Sequence, residues 1–120
     1  MINIEYCPAS YTIKAKGHAG YAPQGEDIVC AAASSLILTL GLCILGYNHG
    51  LEYEPTFTVG EETIISCRPK KEREREIELL FWYCISGLDR LSERYPKHIG
   101  ITVLWHEDVD EAMLQVKSEK

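Results

Sequence analysis

The sequence predicts an α+β fold in which two helices pack on one face of a mostly antiparallel sheet. Three observations predict it. Short stretches rich in β-forming residues lie near both ends of the chain, a nearly unbroken apolar stretch occupies 28–47, and an amphipathic helical pattern occupies 71–95. The predicted order is strand-strand-helix-strand-strand-helix-strand. With 120 residues the chain has room for one domain, which we place at 1–104, followed by an acidic extension at 105–120.

The first two predicted strands are Ile2 to Tyr6 and Tyr11 to Lys16, with a turn at Pro8-Ala9-Ser10 between them. Apolar and polar residues alternate along the second strand, which is typical of a sheet with one face in water. Residues 17–27 contain three glycines and a proline and are predicted to form a loop.

The apolar stretch from Ile28 to Tyr47 is about as long as a membrane-spanning helix. It has no flanking Lys or Arg, and Ala, Ser and Gly dilute its hydrophobicity. We therefore predict a core helix, covered on several sides by the sheet and the second helix, and no membrane partner.

The remaining elements follow from turn and helix signals. A hairpin is predicted with strands near Leu51–Val59 and Thr63–Arg68, joined around Gly60. A helix from about Lys71 to Tyr95 is stopped by Pro96, and a last strand covers Ile99 to Leu104. In the extension, a short helix is predicted at Asp108–Val116.

Composition excludes several classes of protein. A net charge of −6 argues against a direct nucleic-acid partner, although it suits a basic protein partner. The five cysteines are odd in number and none is paired in a CxxC motif, which favours free thiols in a reducing compartment over disulfides or zinc. The N-terminus has no signal-peptide pattern, so we expect a cytoplasmic protein.

Cys30 is the strongest candidate for a nucleophile. It is predicted in the first turn of the core helix, with Glu26 or Asp27 as N-cap. Unpaired N–H groups and the positive end of the helix dipole favour a thiolate there, and the same N–H groups are candidates for an oxyanion hole. The carboxylates of Glu26 and Asp27 oppose the thiolate unless one of them faces a cation such as protonated His18.

His18 is the candidate general base. It opens the glycine-containing loop and lies 12 residues before Cys30, so a folded-back loop brings the imidazole within reach of the sulfur. Gly17, Gly20 and Gly25 suggest a loop that opens for a peptide and closes over it.

Structural alternatives exist for each candidate. A cysteine in an Ala-rich helix is often a packing residue, and a histidine beside glycine is often part of a turn. Cys43 and Cys84 are predicted in the core, and Cys7 and Cys67 attract no catalytic argument. A group of four residues lies near the last strand. We interpret it as a solvated surface or, less simply, as a weak metal site: His98, His106, Glu107 and Asp108.

The two candidates belong to a recognisable pattern. Gly17-His18-Ala19-Gly20, followed by Gly25-Glu26-Asp27-Ile28-Val29-Cys30-Ala31-Ala32-Ala33-Ser34, resembles the signature of the ribosomal-processing cysteine protease family, Prp. The likeness extends in order and length from Ile2 to about Ile101 and includes Tyr95-Pro96-Lys97. The chain departs from the family in continuing beyond the last strand to Lys120.

The resemblance implies a cysteine endopeptidase that removes the N-terminal extension of bacterial ribosomal protein L-twenty-seven, after a hydrophobic stretch ending in phenylalanine. It implies His18 and Cys30 as the catalytic pair, a mobile loop at 19–26 that contains Gly20 and Gly25, a homodimer, and neither cofactor nor metal. It also places supporting or substrate-positioning residues at Asp27, Ser34, Gly17 and Ala31.

Two other functions remain open at this point. One is a ribosome-associated factor that grips a peptide or assembly partner without cutting it. The other is a thiol-dependent hydrolase of a different acyl substrate. The His18 and Cys30 pair favours an enzyme, because a binding protein has no need of a thiol at a helix N-terminus.

Overall fold

Five strands and two helices make up the part of the chain that the structure, a computed structural model, describes: residues 1–104. The predicted element order and the α+β class are confirmed. The extension at 105–120, with its predicted helix, lies outside the described residues. The elements are β1 (Ile2–Cys7), β2 (Thr12–Lys16), α1 (Ile28–Gly46), β3 (Thr56–Thr58), β4 (Glu62–Ser66), α2 (Glu74–Arg94) and β5 (Ile99–Val103).

The strands form a single sheet in the order β3-β4-β2-β1-β5. Neighbouring strands are antiparallel except at one edge, where β1 and β5 run parallel with Ile2 opposite Ile99. The alternation predicted for β2 is confirmed, since Ile13 and Ala15 are buried while Lys14 is half-buried and Lys16 exposed. The sheet therefore has one face in the core and one polar face.

The centre of the core lies between β1, β2 and α2. The ring of Phe81 on α2 stacks on Tyr6 with centroids 5.9 Å apart and meets the edge of Tyr11 at 6.2 Å. Phe81 is fully buried, and burial raises the pKa of Tyr6 and of Tyr11 to about 12. Both phenols are therefore neutral throughout the physiological range, as their place in an apolar core requires.

Helices α1 and α2 pack side by side in opposite directions. Leu36 on α1 covers Gly87 on α2, where an added Cβ would lie 2.9 Å from a Leu36 methyl carbon. At the other end of the pair, the Tyr47 hydroxyl donates to the Glu76 carboxylate. Gly41 gives similar access to the sheet, because the ring of Phe57 on β3 occupies the space of its missing side chain. Glycine thus lets both neighbours approach α1 closely.

Helix α1 is less covered than the sequence suggests. Its inner face contributes Val29, Ala33, Ile37, Leu40 and Ile44 to the core, which favours the core-helix interpretation over a membrane span. By length and composition, however, this helix could cross a membrane, with a mean hydropathy of 2.5 and 33% of its residues buried. The expectation of cover on several sides is wrong for an outer face formed by Ile28, Leu38, Leu42 and Leu45, which are 37–64% exposed.

Three local predictions need correction. Strand β3 is limited to three residues, because the chain from 52 to 55 leaves the sheet after Leu51 bridges Pro69. Helix α2 begins at Glu74 rather than Lys71, since Lys71–Arg73 form a 3₁₀ turn. Cys84 is buried as predicted, but Cys43 is exposed because it lies on the uncovered side of α1.

Candidate active site

Asp27 organises the start of α1. Its backbone is extended, and one carboxylate oxygen, Oδ1, accepts the N–H of Cys30 at 2.9 Å, which is the standard bond of an N-cap. The other oxygen, Oδ2, accepts the N–H groups of Tyr21 at 3.0 Å and Ala22 at 3.3 Å. These bonds, the one from Cys30 foremost, lower the pKa of Asp27 below its usual 3.8. One carboxylate therefore ties the loop to the helix that carries Cys30.

Of the two N-cap candidates predicted from sequence, Asp27 fills the role. Glu26 is exposed, and its backbone N–H donates to the carbonyl of Pro23 in a tight turn. Asp27 accepts from three backbone N–H groups, and among residues 1–104 no hydrogen bond joins it to His18, the cation that the sequence offered as a partner.

Cys30 is half-buried, in the first turn of α1. The N–H groups expected to form an oxyanion hole are engaged: that of Cys30 donates to the Asp27 side chain, and that of Ala31 to the Asp27 carbonyl at 3.0 Å. In this conformation neither is free to donate to a substrate oxygen. The helix start thus supplies its dipole to Cys30, while its nearest donors stabilise the helix itself.

The other thiols of the core differ from Cys30. Burial raises the pKa of Cys67 to about 11 and that of Cys84 to about 12, so both are protonated and unreactive at neutral pH. Cys7 is buried as well, while Cys43 is exposed on α1. Cys30 is the half-buried cysteine at a helix N-terminus, which is the setting that the sequence predicted for the nucleophile.

His18 lies at the exposed beginning of the loop, directly after β2 and Gly17. Gly17 has a φ of +97°, and the carbonyl oxygen of Met1 lies where its Cβ would be, so only glycine fits at this position. Among residues 1–104 no hydrogen bond joins the His18 ring to Cys30. The His18 ring is exposed to solvent, and the backbone directly before it is restricted by the close contact between Gly17 and Met1.

The remaining predicted residues surround this pair. Ser34 is exposed on α1 and, four residues after Cys30, lies one helical turn beyond it on the same face. Gly20 and Gly25 have φ values of +67° and +92° with open space around them, so they supply the turns of the loop without packing against anything. The loop therefore has glycine bends near both ends and the Asp27 bonds in between.

The residues that hold this loop against the body of the protein were not predicted from the sequence. His98 is half-buried, which corrects the solvated-surface interpretation, and its Nδ1 lies 2.9 Å from the carbonyl oxygen of Ala19. The ring of Tyr21 meets both Tyr95 and His98 edge-on, each at a centroid distance of 5.3 Å. His106, Glu107 and Asp108 lie outside the described residues. The sequence offers one hint, aromatic residues both in the loop and in the segment before β5. This hint does not show that the two segments meet.

A thiol at the N-terminus of a core helix, with a histidine at the other end of a latched loop, is an arrangement compatible with the cysteine protease class. The sequence model of the family described as "Cysteine protease Prp" matches residues 1–100. The chain belongs to this family, and it is a cysteine protease. No curated protein sequence matches the chain significantly.

Solved structures with the same fold include a Staphylococcus aureus ribosomal processing protease Prp with a covalently linked product peptide. It is 22% identical to the chain, covers 86% of it and 99% of its own length, and has a TM-score of 0.72. The same protease with a substrate peptide has a TM-score of 0.66 at 22% identity, with coverage of 86% and 99%. A Streptococcus mutans protein has a TM-score of 0.60 at 20% identity, with coverage of 85% and 90%. At these identities the likeness establishes the fold.

Proposed function

We propose that the protein is an endopeptidase of ribosome maturation that removes the N-terminal extension of ribosomal protein L-twenty-seven, with Cys30 as nucleophile and His18 as general base and acid. The observation that carries the proposal is the pair of bonds made by the Asp27 carboxylate. It accepts the N–H of Tyr21 and the N–H of Cys30, and so joins the loop that begins at His18 to the helix that carries Cys30. The family match over residues 1–100 and the likeness to a ribosomal processing protease support it.

In the proposed reaction His18 takes the proton of the Cys30 thiol, and the sulfur attacks the carbonyl carbon of the scissile peptide bond. The tetrahedral intermediate collapses when the C–N bond breaks, and His18 gives its proton to the departing amine. Water then attacks the thioester and loses a proton to His18. The C–S bond breaks, the carboxyl product leaves, and the proton returns to the sulfur.

The oxyanion of the tetrahedral intermediate needs hydrogen-bond donors. In the conformation without substrate, Cys30 and Ala31 do not offer them. Their N–H groups are bonded to Asp27, so the oxyanion must be met by other donors of the loop or by donors released when the substrate arrives. Gly20 and Gly25 permit such a rearrangement, because glycine is free to change φ and nothing lies close to the place where a Cβ would be.

Charge and surface support the proposed partners. The net charge of −6 suits a basic ribosomal protein as substrate. The uncovered apolar face of α1, with Leu38, Leu42 and Leu45, suits association into a homodimer, since an apolar helix face is often an interface. Free thiols throughout the described chain are consistent with the proposed cytoplasmic location.

The test is incubation of the protein with full-length precursor of ribosomal protein L-twenty-seven, followed by intact-mass measurement. Cys30→Ala and His18→Ala are compared with Cys43→Ala, which removes an exposed thiol away from the loop. We expect the native chain and Cys43→Ala to release one short N-terminal peptide and the other two variants to release none. Cleavage by Cys30→Ala would refute the assignment of the nucleophile.

The second candidate function is a peptide-binding or assembly factor without catalysis. The exposed His18 ring, which makes no hydrogen bond to Cys30 among residues 1–104, is the observation in its favour. Stable co-elution of the native chain with the uncleaved precursor, with no change of mass, would favour this candidate over the protease.

A further inference from the structure

The residue after the proposed base is held far more firmly than its loop position suggests. Ala19 is 2% exposed, although its neighbours His18 and Gly20 are both exposed. Its carbonyl oxygen lies 2.9 Å from Nδ1 of His98, a residue 79 positions later in the chain. A carbonyl oxygen can only accept, so Nδ1 of His98 carries the proton and donates it to this bond.

Both the backbone and the ring of His98 are held by neighbouring residues. Its backbone N–H donates to the carbonyl of Tyr95 at 2.9 Å, and its carbonyl accepts the N–H of Ile2 at 2.9 Å, where β5 begins beside β1. The ring of Tyr21 packs against it edge-on at 84° and against Tyr95 at 76°. The donor therefore stands on the edge of the sheet and has little freedom to move.

The two ends of the His18 peptide unit are thus anchored differently. Before it, Gly17 lies against the Met1 carbonyl in a conformation that favours glycine. After it, Ala19 is held by His98. The His18 ring is exposed and without a bond to Cys30 in the described chain, so the two backbone anchors fix the point from which the imidazole reaches. A shift of about 1 Å in such a group can cost ~100-fold in rate.

We propose that His98 is a positioning residue: its Nδ1–H holds the Ala19 carbonyl and thereby aims His18 at Cys30. The inference rests on the proposed function, since it gives His18 the role of base. His98 does not exchange protons with the substrate. Its neutral Nδ1–H tautomer and its imidazolium form both donate to the Ala19 carbonyl, so the bond itself does not require a particular charge on His98.

Three substitutions separate the hydrogen bond from the bulk of the side chain. His98→Asn keeps an N–H donor at nearly the same distance from the backbone as Nδ1. His98→Leu has a similar size and no donor, and His98→Gln has the same amide one bond further out. We expect the Asn variant to stay within about 3-fold of the native kcat, and the Leu and Gln variants to lose about 10-fold to 100-fold. KM should change by less than about 3-fold, because a residue that acts only by positioning His18 contributes no substrate contact.

A second readout is independent of the substrate. In a Cys43→Ser background, the rate of Cys30 alkylation by iodoacetamide near neutral pH reports how well His18 activates the thiol. We expect His18→Ala to lower it, His98→Leu and His98→Gln to lower it in part, and His98→Asn to leave it near the native rate. Thermal melting of each variant checks that the chain is folded.

The outcomes distinguish failure of His18 as the base from failure of His98 as the positioning residue. If His18→Ala leaves the alkylation rate unchanged, the proposed function loses its base and the inference falls with it. If His18→Ala lowers the rate while His98→Leu and His98→Gln do not, the pair stands and the positioning role is refuted. Equal loss in Asn and Leu variants also refutes it, because the donor would then be irrelevant.

Discussion

Asp27 accepts the backbone N–H of Cys30 at 2.9 Å, so the residue that caps α1 also fixes the residue proposed as nucleophile. Its second oxygen holds the N–H of Tyr21 in the middle of the loop. An ordinary N-cap satisfies only its own helix. Here the same carboxylate joins helix and loop, and its removal should affect both.

The Asp27→Asn variant separates these two effects. Asparagine is a good N-cap, so its single carbonyl oxygen can still accept the N–H of Cys30. The amide NH₂ cannot accept from Tyr21, and the loop loses its latch. We expect kcat/KM to fall by about 10-fold or more while the melting temperature falls little. Asp27→Ala is the matched control and should lower both. An Asn variant with native kcat/KM would contradict the latch.

The same carboxylate should contribute to acid sensitivity. The pKa of Asp27 is lower in the folded chain than its usual 3.8, chiefly because Cys30 donates to it. A carboxyl group with a lowered pKa stabilises the fold fully at neutral pH, and this contribution is lost as pH falls through the lowered value. We expect the native chain to be slightly more stable than Asp27→Asn at pH 6, and this difference to shrink at acid pH below the usual pKa of 3.8 of the carboxyl group. Denaturant titrations under both conditions test this, and a difference independent of pH would refute it.

The cysteines should differ sharply in reactivity. At neutral pH we expect iodoacetamide to modify Cys30 and the exposed Cys43, and to leave Cys67 and Cys84 untouched in the folded chain. Burial raises the pKa of these two thiols to about 11 and about 12, so both reactive thiolate and access are missing. Peptide mass spectrometry with and without denaturant measures the pattern. Labelling of Cys84 in the folded chain would contradict the packing of α2.

Two glycines of α1 should respond oppositely to alanine. An added methyl group at Gly41 meets the ring of Phe57, and we expect a loss of about 1–3 kcal/mol from overpacking. Gly46 lies five residues later in the same helix with nothing near its missing side chain. Alanine there should stabilise the helix by about 0.5 kcal/mol. Chemical denaturation of both variants gives the two values, and equal signs would contradict the predicted contact.

The proposed dimer leads to a further prediction. Leu42 on α1 is 64% exposed, and a glutamate there would place a charge in the proposed interface. Leu42→Glu should sediment as a monomer at concentrations where the native chain is a dimer. Val59 is 65% exposed and lies in the β3–β4 turn rather than on α1, so Val59→Glu is the control and should leave the dimer intact. A monomeric native chain would remove this part of the proposal.

The buried face of an element could be predicted from the sequence alone where its apolar residues recur with a single period. The alternation along β2 identified its buried face, and the three-and-four spacing from Ile77 through Phe81 and Cys84 to Leu88 identified that of α2. Helix α1 is apolar nearly all round, so no period marks its inner face. For that reason the exposed position of Cys43 could not be read from its apolar neighbours.

The candidate site was readable only where its residues are close in the chain. His18, Asp27 and Cys30 belong to one continuous motif, and residue type and position limited the N-cap to Glu26 or Asp27. His98 reaches this motif through tertiary packing across 79 residues. Such a contact depends on where β5 enters the sheet, which no local pattern reports.

The pairing of β1 with β5 has a consequence for the synthesis of the chain. Ile2 stands opposite Ile99, so the first strand acquires its second neighbour only after the ribosome has made nearly all of the described residues. His98 arrives at the same moment, because its carbonyl accepts the N–H of Ile2. A nascent chain therefore lacks the bond from His98 to Ala19 until its last strand emerges. If His18 and His98 act as proposed, a chain without its last strand is expected to be a weaker protease than the finished one.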